Sequence, residues 1–355
     1  MWLDQPRNPK APLAGLKVLE LARVLAGPWA GQILADLGAD VIKIESPAGD
    51  GTRLWGPPWV EREEGDREAA YYHAANRGKR SVVADFKNAD DLRRVSELAA
   101  GADVVLENFK TGTLARFGLD FASLEALNPR LVYCSVTGFG QDGPYAHRAG
   151  YDLAIQAMSG VMDLTGEADG PPQRLGVAFA DVFTGLYGTI AIQAALAQRE
   201  RTGKGQHIDM ALYDCSVALL AHQAQSFFTT GENPPRMGNM HAQVSAYGVF
   251  PTKDGPVVLA PANDRLFRKL LEVFERHDLL GDERFATNEA RIANRATTEP
   301  CRRNVRFLQM SFNAIQQFHG LPRLTQHLCS CFVLSRKVPS SLGDFLLSSD
   351  RQKER

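Results

Sequence analysis

The segment GLKVLELARVLAGPWAGQILADLGADVIKIE, residues 15–45, decides the fold of this chain. Its pattern predicts a strand over 15–22, a helix over 28–37 and a second strand over 39–45. A strand, a helix and a strand within roughly thirty residues form a βαβ unit, in which the strands are parallel and the helix covers one face. The sequence therefore predicts an α/β fold built on a Rossmann-like parallel sheet.

The same alternation continues outward from this segment. Further strands are predicted over 81–86, 102–107 and 131–136, with helices over 89–100, 153–162 and 214–228. Residues 47–67 are rich in Gly, Pro and charge, which predicts a long surface loop. Glycine and polar residues fill the turns that follow strands, and the ligand of a doubly wound sheet lies beyond the carboxyl ends of its strands. These turns are therefore candidate binding segments. The first of them lacks the GxGxxG spacing, so a dinucleotide-dependent oxidoreductase is not favoured.

The pattern changes twice towards the carboxyl end. We predict a large domain over residues 1–230, because a linker with Gly and Pro begins at residue 231. A second, smaller α+β domain over 231–296 follows, with a hairpin over 247–260 and helical periods over 265–274 and 287–296. Residues 297–355 lose acidic residues and show no sustained period, so we expect an atypical segment that is non-native or disordered.

Composition places the chain among ordinary globular proteins. Its 355 residues are 44% hydrophobic and 23% charged, with a formal net charge of -1. We find no apolar run of the roughly 18 residues that a membrane helix needs, and the first ten residues lack a signal-peptide core. The 5 cysteines form no CxxC pair, which argues against a disulfide framework and a zinc site. We expect a cytoplasmic protein without a metal, a membrane partner or a nucleic-acid partner.

One carboxylate, that of Asp181, is a candidate catalytic group. An apolar run precedes Asp181, and apolar residues recur after it at 182, 186, 190, 194 and 197. This spacing predicts a mostly buried helix that begins at Asp181. The dipole of a helix start lowers the pKa of a carboxylate, whereas apolar neighbours raise the pKa and the reactivity. Two interpretations stay open at this point. Asp181 is an oxygen nucleophile, or it is only an N-cap worth about 1 kcal/mol.

The motifs together resemble the class III CoA-transferase family, also called the CaiB/BaiF type. The matching pieces run in the family's order and are Gly15–Pro28, Leu37–Glu45, Asn76–Ser81, Glu107–Phe109, Asn128–Leu131, Ala180–Asp181, Thr184–Tyr187, Arg201–Gln206 and Asn288–Arg295. The resemblance favours the nucleophile role of Asp181 over the capping role. It also implies an interlocked homodimer, which the atypical segment after residue 296 would impair.

By this resemblance Asp181 is the catalytic aspartate of a CoA-transferase. Its carboxylate would attack an acyl-CoA thioester to give an aspartyl anhydride, and the released thiolate would convert the anhydride to an aspartyl-CoA thioester. An incoming carboxylic acid would reverse these steps, with water excluded. Coenzyme A thioester is then a substrate, and no tightly bound cofactor is implied. The residues that the resemblance places on CoA are Leu25, Ala26, Ser46, Ala84, Lys87, Asn108, Phe109, Lys110, Arg116 and Tyr151.

The resemblance also narrows the substrate and leaves alternatives. Arg23–Pro28 and Arg148–Asp152 are similar to members that act on dicarboxylic acids such as succinate and glutarate, so we expect a dicarboxylate. A 2-methylacyl-CoA racemase is one alternative, but that branch has a histidine base where this chain has Tyr151, and a phenol is a poor base for an α-proton. A CoA-binding member that is inactive is the other, because the family pattern stops near Arg295.

Overall fold

The computed structural model describes residues 2–3, 8–61, 65–252 and 255–298. The predicted atypical segment 297–355 lies outside these ranges except for its first two residues. The chain divides into two compact units, Met1–Gly166 with Pro171–Pro234, and Glu167–Gly170 with Pro235–Arg355. The sequence predicts the main boundary slightly earlier, after residue 230, and shows no sign that 167–170 belongs with the second unit.

A parallel sheet forms the centre of the first unit. The strands of this unit are β1 (Lys17–Glu20), β2 (Asp40–Glu45), β3 (Trp59–Glu61), β4 (Arg67–Ala69), β5 (Arg80–Val83), β6 (Val104–Glu107), β7 (Val132–Thr137) and β8 (Gln206–Ala211). Six of them pair in the parallel order β5-β2-β1-β6-β7-β8, with Lys17 opposite Asp40. The predicted βαβ unit and the α/β class are confirmed. β3 and β4 form a separate antiparallel hairpin.

Helices cover both faces of this sheet. They are α1 (Ala26–Asp36), α2 (Ala70–Ala74), α3 (Ala89–Ala100), α4 (Phe121–Glu125), α5 (Asp152–Met158), α6 (Val161–Leu164), α7 (Phe179–Thr202), α8 (Leu212–Leu219) and α9 (His222–Thr230), with 3-10 turns at Gly51–Leu54 and Leu114–Phe117. Alternate residues of each strand face opposite layers. Val18 and Leu106 pack with α1 and α7, whereas Leu19 and Val105 pack with α3 and α4.

The second unit has its own small core. Its elements are β9 (Gly248–Thr252), β10 (Gly255–Leu259), α10 (Asp264–Val273), α11 (Glu283–Ala286), α12 (Asn288–Ala293) and α13 (Arg295–Thr298). β9 and β10 form the predicted antiparallel hairpin, with Phe250 and Val257 buried against Phe267 of α10. The guanidinium of Arg291 is fully buried and donates to the carbonyl of Ser245 at 2.9 Å and to a carboxylate oxygen of Asp264 at 2.7 Å.

The helix α7 corrects one part of the sequence prediction. It begins at Phe179, two residues before Asp181, and it packs through small residues such as Thr184, Gly185 and Gly188. The apolar stripe that predicted burial lies on the other face, where Leu186 is 42% exposed and Ile190 is 64% exposed. The reason is close helix packing, because a Cβ atom on Gly185 would lie 2.7 Å from the carbonyl oxygen of Ala26 in α1.

The length of α7 also bears on the membrane prediction. By length and composition alone α7 could cross a membrane, although its sequence contains no uninterrupted apolar run of that length. A helix in the core of a water-soluble protein passes the same test, and α7 contributes Ala180, Ile192 and Ala195 to the core beneath the sheet.

Three other segments differ from their predictions because local backbone geometry interrupts them. The predicted helix over 153–162 is two helices, since Gly160 between α5 and α6 has a φ of 87°. The predicted helix over 214–228 likewise divides into α8 and α9 at Ala221, with a φ of 44°. The predicted long loop over 47–67 contains a 3-10 turn and the strand β3.

Candidate active site

Most of the predicted CoA contacts follow strands of the parallel sheet. Leu25 and Ala26 lie after β1, Ser46 after β2, Ala84 after β5 and Asn108 after β6. These four strands are neighbours in the sheet, so their carboxyl ends form one continuous edge. The structure therefore brings these residues to the edge at which doubly wound folds bind ligands. Leu25, Ala26 and Ala84 are buried, whereas Ser46 is exposed and donates to the carbonyl of Gly49 at 3.1 Å.

An aromatic cluster gathers the predicted cations near this edge. The ring of Phe86 stacks on Phe109 with centroids 6.2 Å apart and meets Phe117 edge-on at 5.4 Å. Each of the three rings is adjacent in sequence to an exposed cation; these are Lys87, Lys110 and Arg116. Three exposed positive charges around a set of aromatic faces suit phosphate groups and a planar base.

The turn after β1 is tied to the loop after β6. The Asn108 side chain accepts from the backbone N–H of Arg23 at 2.8 Å and donates to its carbonyl at 2.6 Å. The Arg23 guanidinium lies 4.8 Å from the ring centroid of Phe109. The next residue, Val24, has a φ of 69°, a strained conformation for a β-branched residue. Asn108 therefore holds the strained turn from the side of β6.

Asp181 lies in the first turn of α7, and a different carboxylate caps that helix. The cap residue is Ala178, whose methyl group can accept no hydrogen bond, and Asp152 of α5 accepts from the backbone N–H of Ala180 at 2.8 Å. Gln156 donates to the other Asp152 oxygen at 2.7 Å and accepts from the N–H of Leu175 at 2.9 Å. The capping role considered for Asp181 thus belongs to Asp152, and Asp181 is not engaged as the N-cap of its own helix.

The surroundings of Asp181 favour its neutral form. Burial raises its pKa, and the negative charge of Asp152 raises it further, to about 7. Desolvation is the larger of these two causes. Burial, and then the charges of Asp181, Asp152 and Asp50, raise the pKa of the Tyr71 phenol to about 12, so this phenol keeps its proton near neutral pH.

Sequence reasoning missed Tyr71. It lies in the short helix α2, is half-buried and packs edge-on against Trp55 at 5.3 Å between centroids. A five-residue helix has no periodicity that would single out one side chain. Among the described residues, no group of three or more His, Cys, Asp or Glu side chains could hold a metal ion.

Comparisons with known proteins agree with this geometry. Residues 13–306 match the model of CoA-transferase family III. The chain belongs to this family. It is 56% identical to the succinate–glutarate CoA-transferase of Agrobacterium fabrum over 82% of this chain and 73% of the relative. It is 44% identical to the acetyl-CoA:oxalate CoA-transferase of Acetobacter aceti over 81% of this chain and 73% of the relative.

A solved structure extends the likeness to the fold. The crystal structure of a CaiB/BaiF family protein from Brucella suis is 56% identical, with a TM-score of 0.76 over 88% of this chain and 83% of that one. The predicted family and enzyme class are confirmed. The match spans the sheet edge, α5 and the start of α7, so the carboxylates just described belong to a family III CoA-transferase.

The remaining predicted site residue of this CoA-transferase is Tyr151. It immediately precedes α5 and is 67% exposed. The backbone there approaches the loop after β7 closely, because a Cβ atom on Gly138 would lie 2.6 Å from the Cα of Gly150. Tyr151 and Asp152 are thereby held against the carboxyl end of β7, on the same edge as the other predicted contacts.

Proposed function

We propose that this CoA-transferase moves CoA from an acyl-CoA thioester to a dicarboxylic acid, and that Asp181 carries the acyl group and then CoA. The observation that carries the proposal is a half-buried carboxylate that does not cap its own helix and whose pKa is raised to about 7 by burial and by the charge of Asp152. The names of the Agrobacterium and Acetobacter relatives support dicarboxylate substrates, with succinate and glutarate the first acids to test.

The proposed chemistry begins with the ionised form of Asp181. One carboxylate oxygen attacks the thioester carbonyl, the carbon–sulfur bond breaks, and an aspartyl anhydride and CoA thiolate result. The thiolate attacks the Asp181 carbonyl, which gives an aspartyl-CoA thioester and releases the first acid. The acceptor carboxylate then repeats both steps in reverse. A raised pKa makes the carboxylate a stronger nucleophile, and desolvation strengthens its charge interactions in the transition state.

The proposed CoA site lies along the sheet edge. The three cations beside the aromatic cluster would meet the phosphates, and Phe109 would pack on the adenine or the pantetheine arm. The turn at Leu25 and Ala26 leads from this site towards Asp181, because the Ala26 carbonyl faces Gly185 one helical turn beyond Asp181.

We also propose that the protein is a homodimer. The exposed apolar stripe on α7, which contains Leu186 and Ile190, supports this proposal. Isolated apolar side chains on a surface are common, whereas a row of them on one helix is typical of an interface.

Trapping with hydroxylamine tests the transferase proposal. Hydroxylamine attacks the activated Asp181 carbonyl in either intermediate and leaves a hydroxamate, so peptide mass spectrometry after incubation with succinyl-CoA should find the modification at Asp181. The variant Asp181→Asn should show none. An unmodified Asp181 in protein that turns over would overturn the mechanism. Deuterium entering the α-carbon of a 2-methylacyl-CoA from solvent would favour the racemase alternative instead.

A further inference from the structure

The proposed mechanism gives no role to Glu107, a buried carboxylate at the base of the loop 108–110. Glu107 is the last residue of β6 and is 5% exposed. One of its oxygens accepts a hydrogen bond from the backbone N–H of Phe109 at 2.7 Å. Burial raises the pKa of Glu107 to about 7, although the hydrogen bonds from Ser135 and Phe109 oppose this shift. A buried carboxylate thus sits at the base of the loop that presents Phe109 and Lys110.

The groups around Glu107 link it to solvent. Ser135, on the neighbouring strand β7, bonds to Glu107 and also lies 2.9 Å from Nε2 of His207 on β8. His207 is exposed overall, but its ring stacks on Phe121 with centroids 5.2 Å apart and turns Nε2 inward. A serine hydroxyl both donates and accepts, and neutral histidine has one nitrogen of each kind, so a proton can pass between His207 and Glu107 through Ser135.

Four other titratable groups lie near Glu107, on β7 and β8. Tyr133 and Cys134 on β7 are neutral, because burial raises the pKa of each well above its ordinary range. The carboxylate of Asp209 on β8 adds a negative charge that raises the pKa of Glu107. Desolvation lowers the pKa of His207, which favours the neutral ring that a proton relay needs. On the other side, the buried apolar residue Leu21, which follows β1, donates its N–H to the carbonyl of Leu106, the residue before Glu107, at 2.8 Å.

We propose that Glu107 is a positioning residue for CoA. As a carboxylate it holds the N–H of Phe109 and fixes the loop 108–110; when it takes a proton through His207 and Ser135, the hold weakens and CoA affinity falls. The physical basis is that a hydrogen bond to an ionised acceptor is roughly twice as strong as one to a neutral acceptor. This inference rests on the proposed CoA site, and it assigns Glu107 no contact with CoA.

Calorimetric binding of CoA to the Asp181→Asn variant tests the proposal without interference from Asp181. The dissociation constant should rise several-fold as the pH falls from about 8 to about 6, the interval in which Glu107 takes its proton. Adding Glu107→Gln supplies a neutral acceptor at every pH, so affinity at the higher pH should fall several-fold and the pH dependence should flatten. CoA's own phosphate titration affects both proteins equally and cancels in their ratio. The exposed Glu125→Gln of α4 is the matched control and should change neither quantity.

A second variant guards against a folding defect in Glu107→Gln. Ser135→Ala keeps the carboxylate but removes a hydrogen bond that lowers its pKa, so the midpoint of the pH dependence should move to higher pH. Thermal unfolding checks that each variant folds. The proposal is overturned if Glu107→Gln leaves the affinity and its pH dependence unchanged, or, should that variant not fold, if Ser135→Ala leaves the midpoint in place. Absence of CoA binding to Asp181→Asn at every pH would overturn the proposed function as well.

Discussion

At the scale of single residues, the chemistry depends on the charge of Asp181. The ionised form attacks, and burial together with Asp152 raises its pKa to about 7. We therefore expect kcat/KM for the acyl-CoA to rise with pH and to level off above about 7, in contrast to an ordinary aspartate, which is ionised well below that pH. Initial rates at subsaturating succinyl-CoA across pH measure this. A flat profile between about pH 5 and 8 would contradict the assignment.

Asp152 gives a second residue-scale prediction. Asp152→Asn retains an oxygen that can accept from the N–H of Ala180 but removes the negative charge that faces Asp181. The midpoint of the pH–rate profile should therefore move to lower pH. Asp142→Asn, an exposed carboxylate in the turn after β7, should leave the midpoint in place. Equal profiles for Asp152→Asn and the unmodified protein would show that Asp152 acts on α7 only as a cap.

Replacement of Asp181 should lower the activity of the protein but raise its thermal stability at high pH. The folded-state pKa of Asp181 is raised above its ordinary value of 3.8, so the folded protein binds this proton more tightly than the unfolded chain does. Ionisation of Asp181 therefore destabilises the fold increasingly as pH rises from the ordinary value to about 7, and fully above it. We expect Asp181→Asn to lose at least about 10³-fold in kcat and to melt a few degrees higher at pH 8. Calorimetric unfolding measures the second effect, and a lower Tm at that pH would contradict it.

At the scale of elements, the approach of α7 to α1 positions the nucleophile. A Cβ atom at Gly185 would lie 2.7 Å from the Ala26 carbonyl, whereas one at Gly188 would meet its first neighbour at 4.0 Å. Replacement of either glycine by alanine stabilises the helix by about 1 kcal/mol through its higher helix propensity. Gly188→Ala should therefore be neutral or stabilising, whereas Gly185→Ala should lose about 1–3 kcal/mol to overpacking and should lower kcat/KM. Urea unfolding of the pair measures the difference, and equal stabilities would contradict this account of the packing.

The sequence predicted helices and strands whose apolar pattern lies within one segment. It did not predict the contacts between different helices and strands. The βαβ unit was predictable because β1, α1 and β2 each carry their own apolar period. The buried face of α7 was not, because close packing against α1 selects a residue without a side chain, Gly185, rather than a large apolar residue. The cap of α7 was missed for a related reason, since it comes from Asp152, 28 residues before Ala180 in the chain.

At the scale of the whole molecule, the apolar stripe on α7 predicts the oligomeric state. Ile190→Lys puts a charge into the proposed dimer interface, where an unpaired buried charge is costly. We expect sedimentation velocity to show a dimer for the unmodified protein and a shift towards monomer for Ile190→Lys. Leu127→Lys, a control at a leucine after α4 that is 64% exposed, should remain dimeric. A monomer in all three cases would contradict the homodimer.

The sequence predicted which edge of the sheet holds the site, but it did not predict the groups that surround Asp181. Residues after β1, β2, β5 and β6 were placed together because parallel strands end at one edge. Asp152 of α5 and Tyr71 of α2 interact electrostatically with Asp181, and nothing in either local sequence indicates that interaction. The roles of the predicted CoA contacts, the dimer and the cytoplasmic location stay predictions.

An isotope label tests most directly whether Asp181 carries the transferred group. If the acceptor acid is supplied with oxygen-18 in its carboxylates, its oxygen attacks the aspartyl-CoA carbonyl and becomes the bridging oxygen of the anhydride. The thiolate then takes the acyl group, and that oxygen stays on Asp181. We predict oxygen-18 in the peptide that contains Asp181 after turnover with succinyl-CoA and labelled glutarate. An unlabelled peptide from protein that has turned over would contradict the account.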